Sequence, residues 1–168
     1  VSWWPGETNA NDKVDGNNGQ LQGGAGYAGG EVGQAFVFDG INGAVRIPAS
    51  ANLDVGLGNG FALEGWINPV DVSAQRPIVE WNSVTGGNPL PHRAHLWISV
   101  PTPNGAGPGS LYANIIDTAG AWHIFASPPG ILVDNVFQHL ALTYDKTSGL
   151  AKLFLNGTVV AQQNLGIF

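Results

Sequence analysis

Short apolar runs of period two, cut off from one another by clusters of turn-forming residues, recur along nearly the whole chain. A two-residue period is the signature of a strand that buries one face, and no run has the 3.6-residue period or the length of an ordinary helix. Gln138–Tyr144 places Leu140, Leu142 and Tyr144 on one face. Asp145–Gly149 turns the chain and Leu150–Leu155 returns. Asn156-Gly157 then predicts a two-residue hairpin into Val159–Gln163, because both turn positions of a type I′ loop need positive φ. Phe61–Asn68 alternates Phe61, Leu63, Gly65 and Ile67 against Ala62, Glu64, Trp66 and Asn68.

The same pattern predicts strands at Gln20–Gln22, Ala35–Asp39, Ala44–Ile47, Pro77–Trp81, His95–Val100, Leu111–Ile116 and Trp122–Ala126. Val1–Trp4 is apolar and reads as a first strand. His95, Trp97 and Ser99 should face away from Leu96, Ile98 and Val100. Asn9–Gly30 reads mostly as loop, and Pro101–Gly109 as a Pro/Gly loop. With 25 glycines, 11 prolines and only 11% charged residues, the chain is expected to be all-β, a two-sheet antiparallel sandwich of one domain over residues 1–168.

Charge narrows the partners. A net charge of −6 argues against nucleic acid and against an anionic membrane surface, and no apolar run is long enough to insert into a membrane. The chain has no cysteine, so disulfides, zinc thiolates and thiol chemistry are excluded. Oxygen ligands for calcium remain. Asp39 and Asn42 sit around one tight turn, and Asp12, Asp15 and Asn17 share one Asn/Gly loop. These are the candidate metal ligands for one structural calcium ion, although Asp and Asn at such places also make side-chain turns.

No catalytic set is visible. A glycosidase needs two carboxylates across one cleft, whereas Glu64 and Glu80 each stand alone on a strand. The four histidines have no carboxylate or histidine partner at metal-ligand spacing, and read as packing or surface residues rather than as ligands. Trp3, Trp4, Trp66 and Trp97 likewise read as packing residues.

A set of motifs occurs in a telling order: Val1-Ser2-Trp3-Trp4-Pro5-Gly6-Glu7, Asn9-Ala10-Asn11-Asp12, Gly16-Asn17-Asn18-Gly19 with Leu21, Val32-Gly33-Gln34-Ala35-Phe36, and Phe38-Asp39-Gly40. Phe61–Ile67, Gln138–Asp145 and Lys152-Leu153-Phe154-Leu155-Asn156-Gly157 follow. In this order they resemble the bacterial laminin-G-like domains of the concanavalin A-like lectin/glucanase superfamily. The resemblance implies a jelly-roll fold and an extracellular, secreted or cell-surface module that binds carbohydrate or protein without catalysis. A structural or adhesive subunit, or a spacer, is the second reading, and a glycoside hydrolase the third. For sugar, the resemblance directs attention to the loop Asn82–His95, with Asn82, Asn88, His92 and Arg93 flanked by Trp81 and Trp97, and to Trp122 beyond it.

Two departures from the family pattern stand out. Ile41-Asn42-Gly43 replaces an acidic pair after the Phe-Asp-Gly turn. The family's final strand, expected beside Val1–Trp4, is not found before Phe168. Either the chain is a piece of a longer protein, which is the expected reading, or a strand from a neighbouring chain fills that slot.

Overall fold

The computed structural model describes residues 1–82 and 92–168, with the side chains of all of these except Asn82, His92 and Arg93. Among the described residues there are twelve strands, and two single 3-10 turns, Ala51–Leu53 and Val55–Leu57, are the only helix. No helix among them is long and apolar enough to cross a membrane. The chain divides into two compact units, Val1–Val55 and Gly56–Phe168.

The first unit holds β1 (Gln20–Gln22), β2 (Gly26–Gly29), β3 (Gln34–Val37) and β4 (Ala44–Arg46). They form two antiparallel pairs, β1 with β4 and β2 with β3. Leu21 lies opposite Val45, and Tyr27 opposite Phe36 with ring centroids 5.7 Å apart. β2 lies inside the segment read as loop. Its sequence, Gly-Tyr-Ala-Gly, carries almost no strand propensity, and the aromatic pair across to β3 supplies what propensity lacks.

The Val1–Trp4 strand does not form. Instead the Trp3 N–H donates to Asp12 Oδ1 at 2.9 Å, and the Trp3 carbonyl accepts the Lys13 N–H at 2.9 Å. The Trp3 backbone groups are thus engaged by the chain's own loop. Trp3 is 60% exposed, so it is not the packing residue expected. Trp4 is half-buried, and its indole N–H donates to the Asn17 carbonyl at 2.7 Å.

The second unit is a sandwich of two four-stranded antiparallel sheets. One has the order β12-β11-β10-β5, built from β5 (Gly60–Ile67), β10 (Gln138–Asp145), β11 (Leu150–Leu155) and β12 (Thr158–Asn164). The other runs β6-β7-β8-β9, built from β6 (Arg76–Asn82), β7 (His92–Ile98), β8 (Leu111–Ile116) and β9 (Trp122–Ala126). Their facing sides make one core. Leu140, Leu142, Tyr144 and Leu153 come from the first sheet, and Leu96, Ile98, Leu111, Ala113, Ile115 and Phe125 from the second. Phe61, Leu63 and Ile67 pack against this core, as the alternation along Phe61–Asn68 requires.

The β11–β12 hairpin is the two-residue loop expected from Asn156-Gly157. Leu155 pairs with Thr158, and Asn156 and Gly157 have φ of 49° and 78°. β7 starts three residues earlier and ends two residues sooner than the pattern predicts. Its early start rests on pairing with β6, in which Asn82 lies opposite His92. Its end is set by Ser99, whose φ of 56° takes the backbone out of the β region.

Candidate functional site

Alternation on the sheet β6-β7-β8-β9 separates two chemistries. Leu96, Ala113 and Phe125 are in register across β7, β8 and β9 and face the core. The residues between them therefore share the other face. One row there is Pro77, Trp97, Tyr112 and Ala126, and the next is Glu80, His95, Asn114 and Ile124. Ile116 and Trp122 belong to the row after that.

This outer face carries a pocket of about 420 Å³, a size typical of small-molecule sites. His95, Trp97, Tyr112 and Trp122 supply its aromatic wall. Gln75, Thr102 and Asn104 supply amides and a hydroxyl, with Val100 and Pro101 beside them. His95 and Trp97 stack, with ring centroids 6.0 Å apart and planes 18° from parallel. Tyr112 is buried, and burial pushes its phenol up from the usual tyrosine value. Trp122 is 61% exposed, leaving an indole face to solvent.

Two local structures hold the wall in place. The loop after β7 is tied by Ser99, whose Oγ accepts the Gly109 N–H at 2.9 Å. Gly105 and Gly107 donate to the carbonyls of Pro101 and Val100. On the other side, Asp117 Oδ1 accepts the N–H groups of Ala119 and Ala121 at 2.8 and 2.9 Å, and Oδ2 lies 3.0 Å from His123 Nε2. The His123 contact first, then the Ala121 N–H, holds the Asp117 carboxyl below the usual carboxylate value. This turn starts β9 and so sets where Trp122 stands. His123 also stacks on Phe168 at 4.1 Å, and Phe168 on Tyr144 at 4.9 Å.

Trp97 and Trp122, two of the expected ligand residues, thus meet at one pocket. Trp81 does not join them: it lies opposite Ala94, on the face that carries Leu96. The register shift at Pro77/Val79 puts the two tryptophans that flank the loop on opposite faces of the sheet. Asn88 lies outside the described residues, and so do the side chains of Asn82, His92 and Arg93. Tyr112, Gln75 and Asn114 were not singled out from sequence. The signal was present, since Tyr112 and Asn114 alternate with Leu111, Ala113 and Ile115. His123, read from sequence as a packing or surface residue, is folded by the Asp117 turn back onto that acid.

The candidate calcium ligands accept or donate hydrogen bonds within the first unit. Asp12 Oδ1 accepts the N–H groups of Trp3 and Val14, and Oδ2 those of Asp15 and Asn17. The Asn17 amide nitrogen donates to Ser2 Oγ at 2.8 Å. Asp39 Oδ1 accepts from Ile41, Asn42 and Gly43, and Asn42 Oδ1 accepts the Gly24 N–H. Among the described residues no three His, Asp or Glu side chains gather as a metal site. Trp66, expected to pack, is 51% exposed on the outer face of the other sheet, edge-on to His139 at 5.2 Å.

A laminin G model of the concanavalin A-like lectin/glucanases superfamily matches residues 38–167. A search of curated proteins gave no match. Among solved structures, the receptor binding domain of botulinum neurotoxin D is similar with a TM-score of 0.63 and 15% identity, over 98% of this chain and 40% of that one. The binding domain of botulinum neurotoxin serotype G gives 0.60 and 13%, over 92% of this chain and 36% of the other. The CBM40 of the Ruminococcus gnavus IT-sialidase gives 0.49 and 23%, over 63% and 53%. The chain thus spans about half or less of the length of each. At these identities the likeness to the neurotoxin domains is one of fold.

Proposed function

The chain belongs to the concanavalin A-like lectin/glucanases superfamily, and on that premise we propose that it is a non-catalytic module that binds carbohydrate on the outer face of β6-β7-β8-β9. A place in a secreted or cell-surface protein goes with that reading. Fold alone does not assign a ligand. The observation that carries the reading is the gathering of Trp97, Tyr112 and Trp122 around one pocket whose other polar lining is amide, hydroxyl and the His95 imidazole. Flat aromatic faces with a few placed hydrogen-bonding groups suit a sugar ring, which is apolar on its faces and polar at its rim.

The placement of the carboxylates supports a role without hydrolysis. Glu64 lies opposite Ala141, on the side of β5 away from Leu63 and the core. Glu80 lies opposite His95, on the outer side of the other sheet. Packed sheets are about 10 Å apart, and these two side chains leave in opposite directions. A hydrolytic pair needs roughly 5–9.5 Å between its carboxyl groups.

Titration of the chain with a panel of oligosaccharides, read by calorimetry, tests the proposal. At least one sugar should bind saturably. Trp122→Ala should weaken that binding about tenfold or more and leave the melting temperature unchanged, since Trp122 is mostly exposed. Sugar binding unaffected by Trp122→Ala would remove this face from consideration. Release of reducing ends from any bound polymer would overturn the non-catalytic reading.

A further inference from the structure

The strand register sets the aromatic residues of the outer face of β6-β7-β8-β9 well apart. Trp97 lies opposite Tyr112, and Tyr112 opposite Ala126. Trp122 lies opposite Ile116, four residues before Ala126 on β9. Four residues of strand span roughly 13 Å, and the two steps from β7 to β9 add roughly 10 Å across the sheet. Trp97 and Trp122 therefore stand at opposite corners of this face, yet both line the same pocket of about 420 Å³. His95 occupies the interval. It sits two residues from Trp97 in the direction of the Trp122 row, lines the pocket too, and stacks on Trp97 with ring centroids 6.0 Å apart.

The two ends of the pocket differ in chemistry. Gln75 immediately precedes β6, whose first residue, Arg76, lies opposite Ile98. Thr102 and Asn104 belong to the loop that leaves β7 just beyond Ile98. The amides and the hydroxyl of the lining thus come from segments rooted at the Trp97 end. That loop is braced where it leaves the sheet, since the Gly105 N–H donates to the Pro101 carbonyl and the Gly107 N–H to the Val100 carbonyl, each at 2.9 Å. At the other end Trp122 opens β9 and is mostly exposed, so it offers a ring face for stacking. A sugar ring takes up roughly 5 Å of a glycan chain, given bonds of about 1.5 Å. One ring covers one end of the pocket, and about three joined rings reach from the Trp97 row to Trp122.

Resting on the reading of this face as a sugar site, we infer that its ligand is a glycan segment of about three rings lying obliquely across β7, β8 and β9, read by hydrogen bonds at the Gln75 and Asn104 end and held by stacking on Trp122 at the other. Joining the contacts in one ligand makes the second contact intramolecular, so affinity climbs with length until both ends are covered. The test is titration of the chain with the mono-, di-, tri- and hexasaccharides of the cello, laminari, xylo, manno and galacto series. Nitrogen–proton correlation spectra read it, so that weak binding is measured as well as tight. In a series that binds, affinity should rise about tenfold or more from one ring to three and level off beyond. Trp122→Ala should erase that rise, so that the trisaccharide binds this variant no more tightly than the monosaccharide does. Asn104→Ala, at an exposed position, should instead weaken the mono- and the trisaccharide by the same factor, about threefold or more. Melting curves monitor the folding of both variants. Equal wild-type affinity for one ring and for three, or a loss on Trp122→Ala as large for one ring as for three, would overturn this inference and leave the sugar site standing. Failure of every sugar to bind at any length would overturn the proposed function itself.

Discussion

Both carboxylate oxygens of Asp12 accept backbone N–H groups, so this residue organises the loop that sequence reading offered to calcium. Burial opposes its ionisation, but the N–H groups of Trp3, Val14 and Asn17 outweigh that and hold its carboxyl well below the ordinary value of 3.8. Asp39 is lowered too, chiefly by the N–H groups of Ile41, Gly43 and Asn42. A lowered carboxyl stabilises the fold above the unfolded value and loses that contribution as pH falls through the folded one. Below pH 3.8 the unfolded chain therefore takes up protons that folded Asp12 still refuses, and stability should fall there. Asp12→Asn should lower the melting temperature at neutral pH and flatten its acid dependence, measured by circular dichroism from neutral to acid pH. Because N–H donors already bond both oxygens of Asp12 and Oδ1 of Asp39, calcium or a chelator should leave the wild-type melting curve unmoved. A rise with calcium, together with bound metal by elemental analysis, would show that the loop rearranges to hold the ion.

Among the elements, the β11–β12 hairpin is where sequence and structure agree most closely. The Asn156 N–H also donates to the His139 carbonyl at 2.7 Å, and Asn156 Oδ1 accepts the His139 N–H at 2.9 Å. The turn thus extends the ladder with β10. Gly157→Ala puts a Cβ where φ is 78°, a region L side chains avoid, and should cost about 1 kcal/mol or more. Chemical denaturation checks it; an unchanged midpoint would mean the turn can switch type without loss. Strands with a buried and an exposed face were legible because burial writes a two-residue period into the sequence. β2 and the start of β7 were not, because Gly-Tyr-Ala-Gly and His-Arg-Ala carry no such period and pair only because a neighbour offers a register. Val1–Trp4 was misread for the reverse reason. Its apolar residues suggested a strand, but Asp12 and Lys13 take up the Trp3 backbone.

At the scale of the molecule, the sandwich of the second unit offers two outer sheet faces, and both carry an exposed tryptophan. Trp122 stands at the pocket with Trp97 and Tyr112, whereas Trp66 stands on the other sheet beside His139. Residue types alone identified Trp97 and Trp122. They could not identify the company kept, because the one-residue bulge between Pro77 and Val79 in β6 decides which side of the sheet Trp81 takes. The central claim is that sugar binds on the β6-β7-β8-β9 face. Nitrogen–proton correlation spectra of the whole chain, recorded while an oligosaccharide is added, test it most directly. The indole N–H signals of Trp97 and Trp122 and the amide signals of Tyr112 and Asn114 should shift together along one binding curve, while those of Trp66 and His139 stay in place. Shifts confined to Trp66 and His139, with Trp97 and Trp122 unmoved, would contradict the account.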